Sequence, residues 1–177
     1  MAREKKRVRD SYTEQVQIVM SSHLNGYGRA FGGMILQWID VIFGVVSRRH
    51  SGHEVTTAAI DHLEFLAPAH LNETIVLAGR VTWVGRHAME VRVDTFVESL
   101  SGERKLVNVA YAVMVALDEN ERPALVPELI LETDEERREF AAGAARQAER
   151  KARKWAERAT LSAIRQPSPP LQGAKEG

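Results

Sequence analysis

Residues 25–50 read NGYGRAFGGMILQWIDVIFGVVSRRH and place a glycine-rich loop before a long apolar segment. Apolar side chains fall on nearly every face of a helix built from this segment, which predicts a helix that the rest of the chain buries. One stripe along the helix is not apolar. Its members are four, three, four and three residues apart, which brings them onto one face. Its members are Gly33, Gln37, Asp40, Gly44 and Ser47. We therefore predict a helix to about residue 50 with one face kept for another contact.

Asp40 is the residue of this stripe that most needs a chemical explanation. A carboxylate on an otherwise apolar helix is costly to desolvate unless a partner satisfies it or a reaction uses it. A hydrogen bond to a neighbouring loop, or a place at a subunit interface, would satisfy it. The apolar run spans roughly 17 residues and includes Gln37 and Asp40, which is too short and too polar for a membrane span.

The composition excludes several classes of function. The chain has 177 residues, with 24 Lys and Arg against 24 Asp and Glu, so its formal net charge is zero. This balance argues against a general nucleic-acid-binding surface. The absence of cysteine excludes disulfides, thiolate metal sites and a cysteine nucleophile. The basic start at residues 3–9 leads into no apolar segment, so we predict a cytoplasmic protein without a signal peptide or a membrane partner.

The segments around the helix are predicted to be β-strands. Apolar and polar residues alternate in most of them, and Gly or Pro lies at their ends. The predicted strands cover residues 16–20, 55–65, 74–84, 88–98 and 106–117. Ser51-Gly52-His53 ends the helix, with Gly52 as its left-handed residue. One long helix and about five antiparallel strands form an α+β layout in which the sheet wraps around the helix.

The two ends of the chain have different compositions from this central domain. Residues 1–10 are predicted to form a charged, loose tail, and residues 11–130 the folded domain. A capping box at Thr133–Glu136 predicts a C-terminal helix over residues 131–162. That helix has few large apolar residues, so Phe140 and Trp155 are expected to anchor it on the domain or on a neighbouring subunit. Residues 163–177 contain three prolines and are predicted to be disordered.

The ordered motifs resemble the acyl-CoA thioesterases of the hotdog fold, most of all the cytoplasmic acyl-CoA hydrolases. Asn25, Gly28, Phe31-Gly32-Gly33 and Trp38-Ile39-Asp40 resemble the motif at the start of that family's central helix. Further matches follow along the chain: Arg48-Arg49-His50, Val55-Thr56-Thr57-Ala58, Asp61 to Pro68, Val84-Gly85-Arg86-His87-Ala88-Met89-Glu90-Val91, Val126-Pro127-Glu128-Leu129 and Glu132 to Glu136. The resemblance spans residues 14–155 and implies a single hotdog domain. Ala88 departs from it, because the family has a small hydroxyl residue there.

The resemblance implies the chemistry of fatty acyl-CoA hydrolysis. Asp40 would act as general base or as a nucleophile through an anhydride, and both mechanisms stay open. Backbone N–H groups of Gly32 and Gly33, at a helix N-terminus, suit a developing oxyanion. Asn25 would orient the water or donate from its amide. We count Asn25, Gly33 and Asp40 as candidate catalytic residues.

The resemblance also implies where coenzyme A binds and how subunits assemble. Gly32 and Thr57 would line the substrate site, and a turn at Gly85, Arg86 and His87 would meet the coenzyme A phosphates, which arginine binds well. The minimal unit would be a homodimer with Asn25 of one subunit facing Asp40 of the other, and a trimer of dimers would make a hexamer.

The sequence indicates no metal and no cofactor apart from the coenzyme A of the substrate. Four of its histidines, at 23, 50, 62 and 70, are scattered and lack metal-ligand spacing. A hotdog dehydratase would pair a histidine with an acidic residue at the site, but the loop carries Asn25 and the helix has no histidine before His50. A non-catalytic acyl-CoA-binding hotdog module is the alternative, against which the presence of both Asn25 and Asp40 argues.

Overall fold

The structure is a computed structural model that describes residues 3–164, with side chains to residue 156. The described part of the chain contains seven strands and three α-helices. The strands are β1 (Lys5–Arg7), β2 (Thr13–Ile18), β3 (Glu54–Phe65), β4 (Thr74–Val84), β5 (Ala88–Glu98), β6 (Arg104–Leu117) and β7 (Glu128–Ile130). The helices are α1 (Val8–Ser11), α2 (Gly32–Ser51) and α3 (Asp134–Ile164), and a 3-10 turn covers Ser21–His23.

Five strands form one antiparallel sheet in the order β2-β4-β5-β6-β3, and α2 packs on one of its faces. Alternate residues of β4, β5 and β6 supply the sheet side of the core, including Leu77, Val91 and Ala112, all fully buried. Ile39, Phe43 and Val46 supply the helix side and are also fully buried. The predicted α+β class, with a central helix, a five-stranded antiparallel sheet and a C-terminal helix, is confirmed.

Helix α2 packs tightly against the sheet at Gly79 on β4. A side chain at this position would collide with Ile42 and would lie 2.9 Å from Val46 Cγ2. These two helix residues are one turn apart, so they lie on either side of the glycine. The absence of a side chain at Gly79 therefore sets the distance between α2 and the sheet.

The first part of the polar stripe on α2 is exposed, as its spacing predicts. Gly33, Gln37 and Asp40 are exposed, whereas Ser47 is completely buried. The prediction for Ser47 is therefore wrong. The short helix α1, which the sequence did not indicate, packs against α2. It therefore helps the sheet to cover α2.

Residues 5–11 also differ from the loose tail that the sequence predicts. They form β1 and α1, and β1 pairs in parallel with β7. Arg7 adds an ion pair to Glu132, at 3.0 Å between Nε and Oε1. The order of this segment comes from partners more than a hundred residues away, which no local sequence pattern could reveal.

The described part of the chain divides into two compact units between Gly143 and Ala144. The first includes the start of α3, where the Thr133 hydroxyl accepts a hydrogen bond from Glu136 N–H and confirms the predicted capping box. Phe140 packs against the core as predicted, while Trp155 is 79% exposed. The subdivision at residues 11–130 and 131–162 stays a prediction. From residue 165 onward, the predicted disordered tail lies outside the described residues.

None of the helices among residues 3–164 is long and apolar enough to cross a membrane.

His50, near the end of α2, gives the fold a predicted dependence on pH. Its ring is fully buried, Nε2 lies 3.1 Å from Pro127 O, and Nδ1 has no partner among the described residues. Burial lowers the pKa of His50 below its usual 6.5. The folded protein thus disfavours the charged ring, so this contribution to stability is complete above the unfolded pKa and is lost as pH falls below it.

We expect the free energy of unfolding to decrease below about pH 6.5, with His50 contributing a slope of at most about 1.4 kcal/mol per pH unit. Urea unfolding between pH 5 and 8 measures this slope. His50→Gln, which keeps a donor for Pro127 O but does not titrate, should flatten the curve. An unchanged slope in that variant would assign the pH dependence to other groups.

Candidate active site

Asn25 closes the glycine-rich loop that leads into α2. Its side-chain Oδ1 accepts hydrogen bonds from Tyr27 N–H at 2.9 Å and Arg29 N–H at 3.2 Å. Its backbone N–H donates to Arg29 O at 2.8 Å. Gly28 takes a positive φ of 70°, which lets the loop turn this tightly. With Oδ1 engaged, the side-chain NH₂ of Asn25 is the group left to donate to a ligand.

Gly32 and Gly33 begin α2 and are each covered by an aromatic ring. A Cβ at Gly32 would lie 3.4 Å from the Phe65 ring, and one at Gly33 would collide with the Phe31 ring. The lack of a side chain at Gly33 therefore lets the Phe31 ring approach the first turn of the helix, whereas a methyl group at Gly32 would make only ordinary contact with Phe65. The N–H groups of Gly32 and Gly33 have no acceptor within the helix and carry its partial positive charge.

A cavity of about 350 Å³ lies beside this helix start. Its wall combines Asn25 and Gly32 with the apolar side chains of Ile35, Phe65 and Leu66. Asp40 does not line it. The cavity therefore joins one predicted catalytic residue to apolar surface at the end of β3.

Asp40 meets Thr57 where α2 passes the beginning of β3. The Thr57 hydroxyl donates a hydrogen bond to Asp40 Oδ1 at 3.1 Å. Both side chains are exposed, and β3 is an edge strand of the sheet. The carboxylate is therefore oriented by one donor while its Oδ2 faces solvent in the single chain.

The predicted coenzyme A turn, Gly85–His87, connects β4 to β5 at the same end of the sheet as Thr57. The pairing places Met89 opposite Met114, and Met114 opposite Thr57, in one row across three strands. Two strand spacings put the start of β5 about 10 Å from Thr57. Arg86 is exposed, whereas Nδ1 of the His87 ring bonds Ala124 O at 2.9 Å. His87 therefore keeps only Nε2 for a ligand.

The structure brings the predicted site residues together in pairs. Asn25 and Gly32 lie near the Phe65 end of β3, and Asp40 and Thr57 lie near its beginning. The roles assigned to these residues stay predictions. One contributor was missed by sequence reasoning: Arg3, whose guanidinium bonds the carbonyl of Gly85 at 2.6 Å.

Among the described residues no group of three or more His, Asp or Glu side chains is arranged to hold a metal ion.

Comparisons with known proteins agree with one another. The profile of the Thioesterase superfamily matches residues 27–101. The uncharacterized acyl-CoA thioester hydrolase YkhA of Bacillus subtilis (strain 168) is 37% identical over 141 residues, 79% of this chain and 82% of its own length. A crystal structure of an apo-hexameric acyl-CoA thioesterase has a TM-score of 0.82 and 36% identity, over 85% of this chain and 97% of the other.

An acyl-CoA hydrolase from Staphylococcus aureus matches with a TM-score of 0.84 and 27% identity, over 92% of this chain and 99% of its own. It was solved in complex with butyryl coenzyme A, coenzyme A and coenzyme A disulfide. Structures of three of its variants are also known, in which an asparagine, an aspartate or a threonine is replaced by alanine. The aspartate follows the asparagine by 15 residues, and the threonine follows the aspartate by 17. Asn25, Asp40 and Thr57 are separated by the same intervals.

Proposed function

The chain belongs to the acyl-CoA thioester hydrolases of the Thioesterase superfamily, and from this premise we propose that it hydrolyses fatty acyl-CoA at a site shared by two subunits. The observation that carries the proposal is the Asp40–Thr57 hydrogen bond on an uncovered face of α2. An exposed carboxylate held by a hydroxyl is ready to act on a molecule that arrives from outside the chain. The matching intervals in the Staphylococcus aureus variants support the same residues.

Asp40 supplies the base or the nucleophile. Thr57 holds Oδ1, so Oδ2 is the oxygen that can take a proton from water or attack the thioester carbon. Along the first route a carbon–oxygen bond forms to water, and Asp40 takes the proton. The carbon–sulfur bond then breaks, and coenzyme A leaves as a thiolate that is reprotonated. Along the second route Asp40 Oδ2 attacks the thioester carbon, the carbon–sulfur bond breaks and coenzyme A leaves as a thiolate that is reprotonated. Water then hydrolyses the anhydride and returns Asp40 to its carboxylate form.

The start of α2 supplies the stabilisation of the oxyanion. The N–H groups of Gly32 and Gly33 point out of the first helical turn, where negative charge is favoured. The NH₂ of Asn25 lies on the wall of the cavity beside Gly32 and adds a further donor. The apolar part of that wall suits an acyl chain.

The distance between the Asn25–Gly32 pair and the Asp40–Thr57 pair supports a site built by two subunits. Helix α2 rises about 12 Å between Gly32 and Asp40, which is too far for one carbonyl group to reach both. Two β3 edge strands that pair antiparallel about a twofold axis bring the Phe65 end of one beside the Thr57 end of the other. Asn25 of one subunit then faces Asp40 of its partner. Ile60 and Phe65, which are 40% and 48% exposed, would be covered.

We propose a trimer of such dimers as the complete assembly, by analogy with the hexameric relative. Gly85, Arg86 and His87 bind the phosphates of coenzyme A, with the exposed Arg86 guanidinium as the main charge. Ala88 offers no hydroxyl at this turn. Cytoplasmic location stays a prediction.

Release of free thiol from acyl-CoAs of short to long chain length tests the reaction and gives its chain-length preference. Release that rises with protein concentration is the expected result. Binding of acyl-CoA without any release of thiol would instead favour the non-catalytic binding module.

We expect two inactive variants to restore each other if the site is shared. Asn25→Ala and Asp40→Asn chains, unfolded together and refolded as a mixture, should recover about one quarter of the normal activity, because random pairing completes that share of the sites. Each variant refolded alone is the control. A mixture no more active than the two separate variants would place the whole site within one subunit.

A further inference from the structure

Distant parts of the chain hold all three carbonyl groups of the Gly85–His87 turn. The first carbonyl oxygen accepts a hydrogen bond from the Arg3 guanidinium at 2.6 Å. The second accepts from Val126 N–H at 3.0 Å, and the third from Ala116 N–H at 3.1 Å. Such complete pairing fixes the backbone of a turn that would otherwise be free to move at the protein surface.

Arg3 links two of these attachments. Its Nε donates to Val126 O at 2.8 Å, so one guanidinium bonds the turn and also the segment that holds the turn. Nη1 lies 4.0 Å from Glu128 Oε1 on β7. The planar fork of arginine can reach two carbonyl groups at once, whereas the single ammonium of lysine cannot match that geometry.

The pairing decides which polar groups the turn presents to a ligand. Within residues 3–164, the N–H groups of Arg86 and His87 donate no hydrogen bond, and the Arg86 side chain is exposed. Successive unpaired N–H groups attract anions, whereas a free carbonyl oxygen would repel them. The Trp83 ring lies 2.7 Å from where a Cβ of Gly85 would be, which further limits how the turn can be arranged.

We propose that Arg3 is a positioning residue for substrate binding. By bonding the Gly85 and Val126 carbonyls, it keeps the amides of the turn and the Arg86 guanidinium facing the phosphates of acyl-CoA, and it does not touch the substrate itself. This inference rests on the proposed function, because it assigns the phosphates to this turn. It adds a contribution from the segment just before β1, which no part of the proposed site includes.

Hydrolysis of one acyl group carried by coenzyme A or by pantetheine, which lacks the nucleotide, separates positioning from general stability. For Arg3→Met and Arg3→Lys we expect the KM for acyl-CoA to rise about 3- to 10-fold, which is the effect expected from the loss of one hydrogen bond. The kcat should change less than about twofold and the KM for acyl-pantetheine should be unchanged, since positioning acts on phosphate binding alone. Lys5→Met is the matched control, because it removes a charge that pairs with Glu128 without reaching the turn.

Three results would overturn the inference. An equal rise in KM for both substrates would show a general loosening of the domain, which a fall in melting temperature would accompany. Unchanged KM values in both Arg3 variants would show that the turn holds its arrangement without the guanidinium. Equal KM values of the unaltered protein for the two substrates would instead show that the phosphates do not contribute to binding. Arg3 could then have no role in positioning a phosphate site. If Arg3→Met does not fold, Arg3→Lys, which keeps the charge and the stem, gives the same comparison.

Discussion

The Asp40→Asn variant is expected to hydrolyse acyl-CoA about 10²- to 10⁴-fold more slowly than the unaltered protein. Asparagine has the same shape, and its Oδ1 can still accept the Thr57 hydroxyl, so the contact between α2 and β3 is kept. What it lacks is the negative charge that takes a proton from water or attacks the thioester. The expected loss is therefore in kcat, with the KM for acyl-CoA changed little.

Measurement of thiol release and of coenzyme A binding in parallel checks this expectation. Glu103→Gln removes the same charge from the exposed turn between β5 and β6 and should leave both quantities unchanged. Full turnover by the Asp40→Asn protein would refute the assignment of Asp40. Loss of coenzyme A binding together with turnover would mean that the carboxylate serves in assembly or binding and not in the chemical step.

The Gly79→Ala variant is expected to lose about 1–3 kcal/mol of folding free energy. The new methyl group would collide with Ile42 and would also lie too close to Val46, at 2.9 Å from its Cγ2, and both residues are packed in the core. The helix must therefore move away from the sheet. Because Ile42 follows Asp40 by two residues, the same movement would shift the carboxylate from Thr57 and lower activity as well.

Thermal and urea unfolding measure the stability, and thiol release measures the effect on the site. Gly26→Ala is the matched control, since a Cβ at Gly26 meets nothing within 4 Å. We expect it to change stability by less than about 0.5 kcal/mol. Equal stability of the two variants would mean that α2 and β4 adjust to the extra methyl group without cost.

The elements with a strong periodic pattern were predicted from the sequence alone. Strands β4 and β5 have the predicted bounds, and α2 ends at Gly52, which takes the left-handed conformation with a φ of 72°. Alternation in a sheet and an αL glycine after a helix are local signals, because they depend on neighbouring residues only. The exposed position of Asp40 followed from helical spacing in the same way.

The remaining features depend on contacts between distant residues. β1 and β7 have three residues each, too few to show a period, and they exist because they pair with each other. The Thr57 hydroxyl reaches Asp40 only because α2 lies against the sheet at a distance that Gly79 permits. The Phe65 wall of the cavity depends equally on where β3 ends. No spacing along the chain encodes these contacts, so they had to be seen in three dimensions.

The pairing of β1 with β7 also orders events during synthesis on the ribosome. Arg3, just before β1, bonds Val126, just before β7, across 123 positions. The strand β1 therefore has no partner until nearly the whole domain has been made. At about 5–20 residues per second this wait lasts roughly 6–25 s. The nascent chain thus carries a basic, unpaired segment at β1 while α2 and the five-stranded sheet are already able to form. Pairing of β1 with β7 is then the step that completes the folding of the newly synthesised domain.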